Sequence, residues 1–403
     1  MKETPQPQFT PEQELLLWSI RVDHTKDQRI TDILSAGVDW NYVRKTAIQH
    51  GIIPLLYKRL KEEMSDLVPS NELEELRTLF MANAVRNLRM TQELIKVLDL
   101  LADAGIEAMP FKGPALAVQA YRDLSMRSFC DLDILIHDKD FNRMYLALQD
   151  AGYPPDYPVN LRTEAKFITY QKKNLAISYQ GTPLEIHWRI TERFLSVPFN
   201  MDRLWDNACS VVLNDRDLGT LSPEDTVIVL CVHGTKHLWN NMKWLADLVH
   251  LISNNPDLQW QEIHDQAEEF GVRRILFLGL YLAHEHGGII NPSDSQQRLI
   301  TDVNFKNIVN VLETNFFHVQ SGKLEVASPS FHLKLRERLK DKVNFFIYTF
   351  TDRIISPNYL DFKIISLPDF LFPVYVIIRP FRLLKDYCKK KDIPLVSKGE
   401  QIF

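Results

Sequence analysis

The sequence predicts an α+β protein in which a small mixed-sheet core over 105–200 is flanked by helical regions over 1–104 and 201–403. Three observations carry this reading. The first hundred residues and the stretch after Ser222 repeat their apolar residues at helical spacing. Between them, short β-rich runs at 106–111, 128–136, 175–179 and 184–190 alternate with helical segments. Gly181-Thr182-Pro183 joins the last two runs as a hairpin.

In chain order, Thr10-Pro11-Glu12 opens a helix carrying Leu15, Leu16, Leu17 and Trp18. A second helix covers 42–50 and stops at Gly51, and Leu55, Leu56 and Leu60 resume the pattern after Pro54. Over 86–104, Leu94, Val97, Leu98 and Leu101 fall at i, i+3, i+4 and i+7, one apolar face closed by Gly105. Lys112-Gly113-Pro114 then links the first strand to a helix over 115–121. Further helices are expected at 141–151 and, after a Pro-bearing loop at 154–158, at 161–172. Downstream, helices are expected at 223–241, 244–253, 260–270 and 275–286, the last ending in His284 and His286 before two glycines. The remainder, 305–395, is rich in Phe and Pro and reads as helices and tight turns packed on the body.

Composition narrows the classes. At 45% hydrophobic and 25% charged residues, the 403-residue chain is an ordinary globular sequence. Its net charge of -5 gives no global pull toward nucleic acid, so a polyanion contact has to be local. Cys130, Cys209, Cys231 and Cys388 form no CxxC pair, which argues against a disulfide framework and a thiolate zinc site and suits a cytoplasmic protein. The polar MKETPQPQFTPEQ start is not a secretory signal. No apolar run approaches the roughly 18 residues of a membrane span; the best, 370–378, contains Pro373. Lys389-Lys390-Lys391 reads as a solvated tail, with a peripheral membrane contact as the second reading because an aromatic stretch precedes it.

The chemistry concentrates in Cys130-Asp131-Leu132-Asp133-Ile134-Leu135-Ile136. Residues i and i+2 of a strand share a face, so Asp131 and Asp133 project side by side. Two adjacent carboxylates repel unless a cation lies between them, and oxygen ligands select a hard ion such as Mg²⁺. Leu184-Glu185-Ile186-His187-Trp188 supplies a third acid, Glu185, on a strand placed to pair beside the first. Three acids on adjacent strands can hold two Mg²⁺ ions, with Mn²⁺ as the substitute. Lys112 and Gly113 sit at a strand-to-helix turn, where glycine permits close approach of a phosphate and lysine adds charge. Arg127, just before the acidic strand, either reaches a phosphate or neutralises the acids. Together these parts describe phosphoryl or nucleotidyl transfer.

The segment FKGPALAVQAYRDLSMRSFCDLDILI, followed about fifty residues later by LEIHWRI, resembles the bacterial uncharacterised nucleotidyltransferase family of the polymerase-beta-like superfamily. Lys112, Gly113, Ala115, Leu116, Tyr121, Arg127, Asp131, Asp133, Glu185, His187 and Trp188 stand at the positions of its pattern. HGIIPLLYKRL, HGTKHLWNNMKWLADLVHLI and, loosely, RPFRLL extend the resemblance over most of the chain. It implies a nucleotidyltransferase-fold core, two Mg²⁺ ions and a nucleoside triphosphate donor, with ATP the first choice. It departs from the wider superfamily in having Lys112-Gly113 where Gly-Ser is usual, with longer spacing to Asp131, which bears on how the triphosphate is held. The same resemblance puts His233, Lys236, His237, Lys243 and Asp247 along the nucleotide or acceptor cleft. The competing reading makes His233 and His237 ordinary helix residues packed on Trp239 and Trp244. A zinc site is disfavoured, since Gly234 replaces the Glu of HExxH.

The acceptor expected from the family's company is small, a glycan or a peptide product, and the absence of a basic stripe argues against long nucleic acid. The alternative from another class is a catalytically inactive nucleotide-binding or partner-regulating module on the same fold.

Overall fold

The computed structural model describes residues 9–23, 27–154, 173–179, 181–289, 303–317, 329–351, 359–365 and 367–391, with a few isolated residues besides. The helix expected at 161–172 lies almost wholly outside them. The chain is helix-dominated around a small mixed sheet, as the sequence predicts.

Helix α1 (Pro11–Ser19) opens on Thr10, whose hydroxyl and the Gln13 side chain cap each other's backbone N–H groups. Helices α2 (Gln28–Ala36), α3 (Trp40–Gln49) and α4 (Ile53–Glu63) follow. The helix read over 86–104 is the second half of a longer one, α5 (Ser70–Asp103). Its first half buries Leu76 fully but leaves Met81, Val85 and Leu88 exposed, and the run of buried apolar residues starts at Met90.

The sheet holds β1 (Ala108–Pro110), β2 (Leu132–Ile136), β3 (Asn174–Tyr179) and β4 (Thr182–His187) in the order β1-β2-β4-β3. The β1/β2 and β3/β4 pairs are antiparallel and β2/β4 is parallel. The sheet has two unlike faces. Leu132, Ile134, Leu184, Ile186, Leu175 and Ile177 turn to one side and pack on α5 and on α7 (Phe141–Asp150). Asp133, Leu135, Glu185 and His187 turn to the other, beside Met109, Phe111, Ile190 and Val229. β2 is shorter than the run 128–136, and Asp131 stands on a bend just before it. β4 likewise stops at His187 rather than at 190.

The region after 200 is helical but, behind the short helix α8 (Met201–Asp206), carries a hairpin that sequence reading missed. β5 (Cys209–Leu213) and β6 (Arg216–Thr220) turn through Asn214 and Asp215, both left-handed, with φ of 49° and 59°. Helices α9 (Pro223–Lys236), α10 (Met242–Ser253), α11 (Trp260–Glu269) and α12 (Arg273–Gly287) then assemble with α1 to α4 into one core. Leu15, Leu16, Leu56 and Leu60 share that core with Leu230, Leu248, Leu251 and Leu278. The two helical flanks thus meet each other as well as the sheet, and α6 (Gly113–Tyr121) reaches them through Leu116, Ala120 and Tyr121.

Candidate active site

The parallel register sets Asp133 directly opposite Glu185, and His187 follows two residues on, on the same face. One ligand atom from each of Asp133, Glu185 and His187 lies within 4.8 Å of the others, the one such group among the described residues. His187 Nε2 is 2.9 Å from Asp133 Oδ1 and 3.1 Å from Glu185 Oε2. His187 is fully buried, yet neither ring nitrogen makes a directed hydrogen bond. A buried nitrogen wedged between two carboxylates without such a bond fits a place where a cation belongs. Phe111 meets the imidazole edge-on at 5.0 Å and holds it in place. Asn174, opposite His187 in β3, donates to Glu185 Oε2 at 2.6 Å.

Asp131 stands outside that group, at the rim, as a half-buried residue. Partial desolvation of its carboxyl, and then the Asp133 charge, move its pKa upward. Asp133 goes the other way: burial would raise it, but Lys112 and then His187 outweigh burial and hold it well below the usual carboxylate range. Glu185 is lowered by the adjacent His187 against its own desolvation. Asp131 and Asp133, two residues apart, thus shift in opposite directions under the same neighbours.

Lys112 stands at the N-cap position of α6, its side chain turned away from the helix end, and places Nζ 3.2 Å from Asp133 Oδ1. Burial alone would push this ammonium down; Asp133 and Asp131 overcome it, and the net shift is upward. Gly113 is required by geometry. Its φ is +52°, and a Cβ there would stand 3.3 Å from the Asp131 carbonyl oxygen. Gly113→Ala is expected to cost about 1–2 kcal/mol, read as a lowered denaturant midpoint with unchanged slope. Full stability in that variant would mean the turn relaxes freely.

Beside Lys112 opens a small cavity lined also by Lys173, Glu192, Val229, His233 and Lys236. Lys236 Nζ is 2.5 Å and Lys173 Nζ 3.8 Å from Glu192 Oε1. Burial would raise Glu192, but Lys173 and Lys236 bring it down to about 2. Lys173 is itself lowered by burial and by Lys112. His233 is pushed well below its ordinary value by burial and the same lysines, so it stays neutral. Lys173 and Glu192 were missed from sequence. Lys173 precedes β3 and Glu192 follows β4, and only the hairpin's pairing brings them together.

The other expected site residues are placed differently. Arg127 is buried, and its guanidinium forks onto Asp247 with two bonds of 2.9 Å, while Tyr121 donates to the same carboxylate at 2.9 Å. Its fork is committed to α10 rather than turned to the acids. His233 and His237 both lie 5.1 Å from the Trp244 ring, and His233 alone lines the cavity. Leu238 and Trp239 are left-handed, with φ of 56° and 51°, and fold Trp239 back onto α9. A Cβ at Gly234 would lie 2.6 Å from that ring, which is why glycine follows His233.

A family model described as uncharacterised nucleotidyltransferase matches residues 36–288, which include every residue of this site. Among solved structures, the chain is similar to an antigenic nucleotidyltransferase-like protein from Paracoccidioides brasiliensis. They share 15% identity over 52% of this chain and 93% of that one, with a TM-score of 0.27. No curated protein sequence matches.

Proposed function

The chain belongs to the uncharacterised nucleotidyltransferase family, and from that premise we propose that it transfers a nucleotidyl group from a nucleoside triphosphate to an acceptor oxygen, releasing pyrophosphate. The observation that carries the reading is the pairing of Asp133 with Glu185 across parallel strands, with Lys112, Lys173 and Lys236 clustered around Glu192 beside them. Acids beside a cluster of lysines match the two ends of the reaction, a reacting phosphorus that gathers charge and a polyphosphate that leaves.

Asp131, Asp133 and Glu185 would hold two divalent ions, Mg²⁺ by their oxygen chemistry with Mn²⁺ the substitute, and these would supply Lewis-acid stabilisation of the phosphoryl oxygens. The protein's own groups do the rest. Lys112, Lys173 and Lys236 bind the triphosphate charge, Lys236 exchanging its bond to Glu192 for one to phosphate. His233, kept neutral, adds polar lining without adding repulsion between cations. The acceptor oxygen forms its bond to the α-phosphorus as the bond to the bridging oxygen breaks, and pyrophosphate leaves with that electron pair. Glu185 takes the acceptor's proton. His187 orients both carboxylates, and Asn174 fixes the second. The donor proposed is ATP, and the acceptor a small hydroxyl- or phosphate-bearing molecule of glycan or peptide type.

The test is calorimetry of the four nucleoside triphosphates in Mg²⁺ with wild type, Lys236→Ala and Lys173→Ala. One triphosphate should bind, and each variant should weaken it about tenfold, or 1.4 kcal/mol, while the monophosphate is little affected. Folded wild type that binds no triphosphate would sink the reading. Binding without pyrophosphate release in any acceptor pool would point to the inactive module on the same fold.

A further inference from the structure

Beyond residue 288, where the family match ends, the chain continues through α13 (Val303–Asn315), α14 (Pro329–Leu335), α15 (Leu339–Phe350), α16 (Tyr359–Ile364) and α17 (Val374–Lys391), and the molecule changes character. Sixteen of the twenty-three large apolar side chains exposed among the described residues fall between Leu339 and Leu384, so this end of the chain presents a sticky surface the rest does not. On α15, Leu339, Val343, Phe346, Ile347 and Phe350 share one face and are 46–76% exposed, while Phe345 on the opposite side is buried and anchors the helix. On α17, Val374, Ile377, Phe381 and Leu384 repeat the pattern, and Tyr375, Arg379 and Arg382 face inward.

The acids described around these faces are each held by an arginine, and Glu337 lies 3.9 Å from Arg274. Asp341 is held by Arg338, Asp361 by Arg379 and Arg382, and Asp386 by Arg382. Lys340, Lys342 and Lys385 have no acid partner among the described residues, and Lys389-Lys390-Lys391 follow on the last turn of α17. An open groove of about 590 Å³ joins the two properties: Arg274, Lys334 and Lys342 line it together with Leu333, Val343 and Phe346, and no acid does. No helix among the described residues is long and apolar enough to cross a membrane.

We propose that this end of the molecule docks on the surface of an anionic lipid bilayer, with the α15 face against the acyl boundary and the Arg274–Lys334–Lys342 groove taking a lipid phosphate. Charge decides the occupant. Aromatic and aliphatic side chains rimmed by lysine suit a negative interface, whereas two copies of this face would set like charges against each other. The chain as a whole is at -5, so a negative surface repels the body and attracts this end, which orients the molecule. This inference does not depend on which nucleotide is transferred.

The test is co-sedimentation of the full chain with vesicles of phosphatidylcholine alone and of phosphatidylcholine with phosphatidylglycerol. Wild type should pellet with the anionic vesicles only, and less as salt is raised. Phe346→Asp with Phe350→Asp, both at exposed positions and checked for folding by circular dichroism, should weaken binding about tenfold or more. Lys334→Glu with Lys342→Glu should abolish the preference for phosphatidylglycerol. Wild type left in the supernatant with both vesicles, or the Phe variants binding undiminished, overturns the proposal. So does a dimer in sedimentation velocity that Phe346→Asp dissociates, since the face would then belong to a second copy.

Discussion

Asp133→Asn should abolish nucleotidyl transfer while leaving the protein folded. Asp133 is the most buried of the three acids, the partner of Glu185 across β2 and β4, and the group Lys112 and His187 both approach. Its amide would keep the shape and lose the charge that a cation needs. The loss expected is at least about a thousandfold in turnover, several kcal/mol of stabilisation of the transferring phosphoryl group. Affinity for the Mg²⁺-triphosphate should fall about a hundredfold. Stability should move little, because two effects oppose. Lys112 loses its nearest counter-charge but keeps Asp131 and Glu185, while the repulsion among three acids is relieved. Pyrophosphate release and calorimetry read the first effect, and chemical denaturation reads the second. An Asp133→Asn protein that still turns over would remove the acid cluster from the reaction.

Arg127→Met should do the reverse and strike the fold. The Arg127 fork, the Asp247 carboxylate and the Tyr121 hydroxyl form a buried knot joining the approach to β2 with α10 and α6. Two further bonds fix the Arg127 carbonyl: Asn87 Nδ2 donates to it at 2.8 Å and Asn83 Nδ2 at 3.5 Å, both from α5. Removing the guanidinium strands Asp247, which is 0% exposed, and breaking such a pair costs about 3–5 kcal/mol. Arg127→Met with Asp247→Leu should recover much of that loss, since no lone charge remains. Denaturant midpoints of the single and double variants give the comparison. If Arg127→Met keeps wild-type stability and only raises the KM for the triphosphate, the arginine serves the nucleotide directly and the knot is incidental.

These two residues also mark what sequence can and cannot carry. Asp133 and Glu185 were legible because a strand's two-residue period is local, and each carboxylate sits in an otherwise apolar run. The mixed sheet and its hairpin followed from the same signals. Arg127 was legible as a charge near the acids but not as a strut, because its partner lies 120 residues away. Asp131, two residues before Asp133, was expected to share its strand; the bend at its own position puts it on the rim instead. Lys173 and Glu192 carry no local signature, and each reads as a surface charge until the β3/β4 pairing brings them to Lys236. The β5/β6 hairpin was hidden by an Asn-Asp turn, whose left-handed tolerance is a weaker signal than glycine's.

The core shared by the two helical flanks has a consequence for how the molecule is made. Leu15, Leu16, Leu56 and Leu60 leave the ribosome long before Leu230, Leu248, Leu251 and Leu278, the residues they finally bury against. Until those arrive, α1 to α4 hold an unmatched apolar surface, and closure of the loop between them must come before most of its reward. The sheet bearing Asp133 and Glu185 lies between these two halves in sequence. The core beneath it comes from α5, α7 and the strands themselves, all made before α9, so a chain stalled there offers chaperones a sticky helical fragment beside a sheet whose acids can already pair.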